Sequence, residues 1–215
     1  MKKLNIIYED KEILVVNKPS KLLTVGTDKE REKTLYHEVR EYLHKKNQKV
    51  FVVHRLDKDT SGLVLFAKNP RLKEMLQNNW LRYTREYVAV VEGKMPKEKD
   101  TLRFYLQEDK THRVYVSNKG LSSVTEYEVL DTNKTQSLIK VRIKTGRKNQ
   151  IRPSLAYIGN PIVGDKKYEA RINSLSRLGL HANRLVIKHP ITNKEMEFSC
   201  DAPTQFYLGF EKYKK

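Results

Sequence analysis

Cysteine is nearly missing from this chain. A single residue, Cys200, excludes an intrachain disulfide scaffold and any multi-cysteine metal site. Long apolar runs are missing as well. The longest cover about five residues, far short of the ~20 that a membrane-spanning helix needs. The opening segment, MKKLNIIYEDKEILVV, carries two lysines but meets Glu9, Asp10 and Glu12 too soon for a secretory signal. None of the six histidines stands in an H-E-x-x-H pattern, and no H-x-E accompanies a P-C-x-x-C. That excludes the common zinc protease and zinc deaminase sites. No G-x-G-x-x-G and no G-K-[ST] occurs, so no nucleotide cradle is expected. Acidic residues are in deficit: 26 against 43 basic ones, a formal net charge of +17. Such a surplus suits a polyanionic partner, nucleic acid before membrane. The composition reads as a reduced, soluble, cytoplasmic protein.

What is present suits a folded chain. Of the 215 residues 38% are hydrophobic and 9% aromatic, enough for one sizeable core or two small lobes. No internal repeat or low-complexity tract breaks the chain, and residues 1–215 read as one domain. Ile13–Val16 is an apolar run stopped by Asn17-Lys18-Pro19, a buried strand entering a loop. Leu35, Val39 and Leu43 fall on one face of a helix over 33–46. Val52–Val53 reads as a short strand. Gly62–Ala67 reads as a central one, apolar on both faces. Pro70 opens a helix with Leu72, Leu76 and Trp80 on one stripe. Tyr87–Val91 is a strand, 97–120 a charged hairpin or excursion, and Ser123–Leu130 a further strand. Ile139, Val141 and Ile143 alternate with Lys140, Arg142 and Lys144, which predicts one buried and one wholly basic face. Thr145-Gly146 ends that strand. A helix follows with Ile151, Leu155 and Ile158 on one side and Pro153 in its first turn. Leu185–Ile187 and Glu197–Phe198 form a closing hairpin. The class is α+β with a mixed, mainly antiparallel sheet.

Three segments concentrate chemistry. His54-Arg55-Leu56-Asp57-Lys58-Asp59-Thr60-Ser61-Gly62 precedes the central strand, where a rigid element can present a carboxylate as nucleophile or base. The same residues also suit a plain charged turn, with Asp57 or Asp59 capping Thr60 or pairing with Arg55. Thr145-Gly146-Arg147-Lys148-Asn149-Gln150-Ile151-Arg152 lies at a strand-to-helix junction and suits phosphate, or simply a basic exposed turn. Gly159 to Tyr168 is a Gly/Pro-rich loop.

In combination these segments resemble the RluA-type pseudouridine synthases. HRLDKDTSGLVLFAKN resembles that family's H-R-L-D-x-x-T-S-G signature. NKPSKLLTV resembles its N-K-P motif and TREYVAVVEG its R-E-Y strand. TGRKNQIRPSLAYIGNPIVGDKKY resembles the T-G-R-x-x-Q-I-R start with its I-G-x-P-I-x-G-D-x-x-Y loop. LHANRLVIKHP and DAPTQF resemble the closing segments. The motifs keep family order from about residue 5 to 207. The resemblance implies a sheet bent around a basic cleft, flanked by helices. It implies isomerisation of uridines in ribosomal or transfer RNA, with base flipping and with no metal, organic cofactor or nucleotide. It makes Asp57 the catalytic aspartate, attacking the sugar carbon or removing a sugar proton. Tyr87 packs on the uracil and is a candidate base for the last proton. Arg152 pairs with the aspartate. His54, Arg55, Thr60, Arg147, Gln150 and Leu180 line the substrate side.

Some positions depart from the family pattern. Lys21 and Glu169 stand where glycine is usual, which puts the local loop geometry in question. Asn149 and Ser154 stand where histidine is common. No small N-terminal RNA-binding module precedes the first motif, and a monomer is expected. Two rival readings carry over: a catalytically silent RNA-binding or ribosome-assembly protein, and a base-excising glycosylase.

Overall fold

A computed structural model of the chain describes residues 4–26 and 32–213; Lys2 and Lys3 lie outside the described residues. In chain order the elements are β1 (Ile6–Glu9), β2 (Ile13–Lys18), α1 (Leu35–His44), β3 (Phe51–Val52), β4 (Ser61–Ala67), α2 (Pro70–Asn78) and β5 (Thr84–Glu92). They continue as β6 (Lys99–Glu108), β7 (Val114–Ser117), β8 (Leu121–Thr132), β9 (Gln136–Ile143), α3 (Ile151–Tyr157), β10 (Leu180–Lys188) and β11 (Glu195–Ser199). The fold class is α+β. The chain divides into two compact units, Met1–Tyr83 with Ala182–Cys200, and Thr84–His181 with Asp201–Lys215.

In the first unit β2 runs antiparallel to both β1 and β4, β3 adds to β4, and β10 pairs with β11 as the expected closing hairpin. Ile13, Leu14, Val15 and Val16 are all fully buried, as is every residue of β4 to within a few per cent. Continuous apolar runs are what strands covered on both faces require. Leu35, Val39 and Leu43 of α1 are likewise fully buried, and Thr34 caps the helix by accepting from the His37 amide. α2 starts as expected on Pro70, with Asn69 as its cap, but it stops at Asn78. Trp80 therefore lies in a following 3-10 turn rather than on the helical stripe. Its ring stacks on His54, with centroids 4.2 Å apart. Gly62 has φ +118°, and a Cβ there would stand 2.2 Å from the Ala182 carbonyl oxygen. Only glycine lets β4 approach that closely.

The second unit is an antiparallel meander in the order β5-β9-β8-β6-β7. The charged excursion is the β6–β7 hairpin. Ala89 and Val91 of β5 join one apolar cluster with Ile139, Val141, Ile151 and Leu155, while Val88 and Val90 join another with Val163, Phe206 and Phe210. β9 alternates as its sequence predicts: Ile139 and Val141 are fully buried and Ile143 nearly so. Its other face is not wholly basic in context. Register sets Arg142 between Glu86 and Glu126, and Lys140 beside Glu128. Lys140 pairs with Glu128 at 2.6 Å, Lys99 with the same carboxylate at 2.7 Å, and Lys144 with Glu126 at 3.2 Å. The expectation of a free cationic face is corrected by the neighbouring strands, whose glutamates a single-strand pattern leaves out.

Candidate active site

In the first unit the residues around Asp57 are clamped through their main chain. Thr24 Oγ1 donates to Leu56 O at 2.8 Å and accepts from Leu56 N at 3.1 Å. Ser20 Oγ donates to Asp59 O at 2.7 Å. Lys18 is fully buried. Its ammonium donates to Lys58 O (3.0 Å), Pro19 O (3.0 Å) and Leu22 O (2.7 Å). A buried charge is tolerated only when hydrogen-bonded in this way. Carbonyls on both sides of Asp57 are thus held, while its side chain is only half-buried. The N-K-P motif was visible in the sequence, but its role in pinning a loop 40 residues away was not.

His54 serves this frame: its Nε2 accepts from the Leu65 amide of β4 at 3.0 Å, so that nitrogen carries no proton. Thr60 is buried at the head of β4 and Arg55 is exposed. Lys21 has φ +67°. The left-handed turn a glycine would make is therefore kept, at a cost of roughly 1–2 kcal/mol.

The second unit holds Tyr87, Arg147, Gln150, Arg152 and Leu180. Tyr87 is half-buried on β5, opposite Val141 of β9, and packs against the apolar cluster that contains Leu180. Arg152 is 7% exposed and forms a bidentate pair with Asp165, Nε to Oδ2 at 2.7 Å and Nη2 to Oδ1 at 2.8 Å. Its guanidinium also lies over the Tyr168 ring, 5.1 Å from the centroid. Asp165 and Tyr168 belong to the Gly/Pro-rich loop, and neither was singled out from sequence. The available signal was an aspartate in a segment otherwise apolar and basic. Arg147 is exposed and its Nε donates to Ser122 O at 3.0 Å, while Gln150 is 3% exposed.

The departing residues also have places here. Asn149 and Glu169 have φ of +53° and +65°. Ser154 is fully buried and donates to Gln150 O at 2.8 Å, a bond back to the preceding turn. Glu169 accepts from Arg113 of the β6–β7 hairpin at 2.8 Å. At the hairpin's turn, Lys148 and His112 hold the Glu108 carboxyl below its ordinary range.

Among the described residues Asp10, Glu12 and His189 bring potential metal ligands together. The ligand atoms of Asp10 and His189 are already engaged. Asp10 accepts from the amides of Glu12 and Ile13, from Tyr8 Oη and from His189 Nε2. His189 Nδ1 accepts from the Thr192 amide. Among the described residues no helix is long and apolar enough to cross a membrane.

Residues 12–157 match the family model described as RNA pseudouridylate synthase. The chain is 35% identical over 199 residues to a Bacillus subtilis protein named uncharacterized RNA pseudouridine synthase YhcT, covering 89% of this chain and 66% of that one. It is 33% identical over 224 residues to the ribosomal large subunit pseudouridine synthase D of Vibrio cholerae, covering 93% and 68%. The chain thus spans about two thirds of the length of these relatives. A solved structure of human RNA pseudouridylate synthase domain containing 1 superposes with a TM-score of 0.78, at 24% identity, over 94% of this chain and 84% of that one. The match over most of the chain, at a third identity, establishes that it belongs to the RNA pseudouridylate synthase family, within its RluA branch, and is an RNA-modifying isomerase of that family.

Proposed function

We propose that the chain converts specific uridines of ribosomal RNA to pseudouridine, with Asp57 as the catalytic carboxylate. The observation that carries this reading is the Asp57 loop: Lys18, Ser20 and Thr24 hold the main chain on both sides of Asp57, and none of these three clamps is made by the aspartate's own side chain. The target base is stacked in RNA and has to be flipped out before any group can reach it. The N1–C1′ bond then breaks, the uracil turns, and a C5–C1′ bond forms with loss of the C5 proton and gain of a proton from water at N1. A carboxylate stabilises or traps the positive charge that develops on the sugar. Tyr87 takes the uracil face and removes the C5 proton, Arg152 orders the carboxylate, and Arg55 and Arg147 meet phosphates. His54 and Thr60 hold the loop, and Leu180 lines the apolar wall. Ribosomal RNA is favoured over transfer RNA because relatives such as the Vibrio cholerae protein carry a ribosomal name. The same reading needs no cofactor and has the protein working as a monomer in the cytoplasm, alongside its RNA.

The test is tritium release from ribosomal RNA labelled at uridine C5. Wild type releases tritium to water in step with pseudouridine formed. Asp57→Asn releases none, yet binds RNA within a few-fold, because a carboxylate adds nothing to phosphate affinity. Asp59→Asn stays close to wild type. Free uracil would identify a glycosylase, and binding without release a silent RNA-binding protein.

A further inference from the structure

The β9–α3 connection carries Arg147, Gln150 and Arg152 within six residues, and a buried polar assembly lies beneath it. Arg85 of β5 is 4% exposed, and burial lowers its pKa. Its Nη1 donates to Thr145 O, and its Nη2 to Ile143 O and Lys144 O, each at 3.2 Å. The guanidinium thus forks across three consecutive carbonyls at the end of β9. Gly146 passes close over it: a Cβ there would stand 3.3 Å from Nη1. The Thr145 hydroxyl accepts from the Val124 amide at 3.0 Å and donates to Gln150 Oε1 at 2.7 Å. Oε1 also accepts from the Arg147 amide at 3.0 Å. Gln150 Nε2 donates to Val124 O and Thr125 Oγ1, both at 3.0 Å. The Gln150 amide, expected from sequence to meet substrate, makes all four of these bonds inside the protein.

α3 has only seven residues, too few to hold a direction by helix formation alone. Its first turn carries Arg152. We infer that Arg85, Thr145 and Gln150 form a hub that fixes how α3 starts, and that they are positioning residues for Arg152 and the 147–149 amides. The inference rests on the function proposed above. Arg85 meets its carbonyls from two separate nitrogens of one rigid plane, Nη1 and Nη2, a spread that the single nitrogen of a lysine does not reproduce. The aim of Arg152 matters because a misplacement of about 1 Å in a catalytic arrangement can cost about a hundredfold in rate.

The test compares Thr145→Val, Gln150→Glu and Arg85→Lys in the full chain. Each is expected to lower kcat by about tenfold or more while KM moves less than about threefold. Thr145→Ser, which keeps the hydroxyl, recovers the turnover lost in Thr145→Val. Hydrogen exchange at amides 147–152 accelerates in the three damaged variants. Gln136→Leu is the control for ordinary destabilisation. Gln136 is buried at the far end of β9 and donates to Ser174 Oγ, and its loss lowers Tm without lowering kcat. If the hub variants lose no more kcat than Gln136→Leu at equal Tm, or if exchange at 147–152 does not move, the hub is packing only and the inference falls. Exchange is read without turnover. A wild-type chain inactive on RNA therefore overturns the proposed function, while the exchange result still decides the hub.

Discussion

The Asp57 loop and the start of α3 hold their key residues by opposite means. Around Asp57, side chains of the 18–24 segment grip main-chain groups of Leu56, Lys58 and Asp59, and the aspartate itself is only half-buried. Arg152 is gripped by its own side chain, in a bidentate pair with a carboxylate that is 1% exposed. In the first case the clamps act on the backbone and leave the aspartate side chain half-buried. In the second the guanidinium is itself part of the interior. Under the proposed function, loss of Asp57 and loss of the partner of Arg152 are different injuries, one chemical and one structural.

The largest expected effects test that contrast directly. Asp57→Asn lowers turnover by more than about 10²-fold with Tm little changed, because the clamps on the loop run through Lys18, Ser20 and Thr24. Asp165→Asn removes the charge that balances a buried guanidinium, and costs about 3–5 kcal/mol in urea unfolding as well as turnover. The double variant Arg152→Met/Asp165→Leu regains much of that stability but none of the turnover. Equal stability losses in Asp57→Asn and Asp165→Asn would erase the distinction.

A finer effect concerns Tyr87. Tyr87→Phe keeps the ring proposed to pack on uracil and loses the hydroxyl. Single-turnover assays are expected to show RNA bound and the glycosidic bond broken, with the reaction halted before tritium release. Full turnover with an unchanged melt would leave Tyr87 a packing residue. Thr24→Val, of similar shape, breaks both bonds to Leu56 and is expected to cost about 1–3 kcal/mol. Its kcat falls while RNA affinity stays near wild type, since the clamp touches no phosphate. The smallest effect is in salt dependence. Arg147→Gln lowers the slope of log K against log salt by about 0.7, one phosphate contact to a single strand. Lys140→Gln leaves the slope unchanged, because Lys140 is already paired with Glu128. A matching drop for both would return the β9 face to the RNA interface.

Much of this arrangement was legible in the residues. The runs Ile13–Val16 and Gly62–Ala67 announced doubly covered strands, Leu35, Val39 and Leu43 a helix face, and Pro70 the start of α2. The family motifs pointed to Asp57, Tyr87 and Arg152. Trp80 was misplaced because helical spacing continues past the point where Asn79, at ψ 2°, leaves the helix. The β9 face was misread because alternation tells which side chains share a face, not which charges the next strands bring. Lys21 and Glu169 looked like disruptions of glycine turns, yet both adopt the left-handed backbone, and Glu169 uses it to hold Arg113.

The sequence by itself determined the family, the α+β class, and most strands and helices. All of these depend on local periodicity or on motif order. The tertiary structure alone decided that Lys18 holds the Asp57 loop, that Asp165 rather than bulk water faces Arg152, that Gln150 spends its amide inside the protein, and that the basic side of β9 is neutralised. Each of those rests on a contact between residues well separated in the chain, from 140 − 128 = 12 positions for Lys140 and Glu128 to 142 − 86 = 56 for Arg142 and Glu86. The sign and strength of a charge or a hydrogen bond there depend on what folding brings within about 3 Å, and no spacing along one segment contains that.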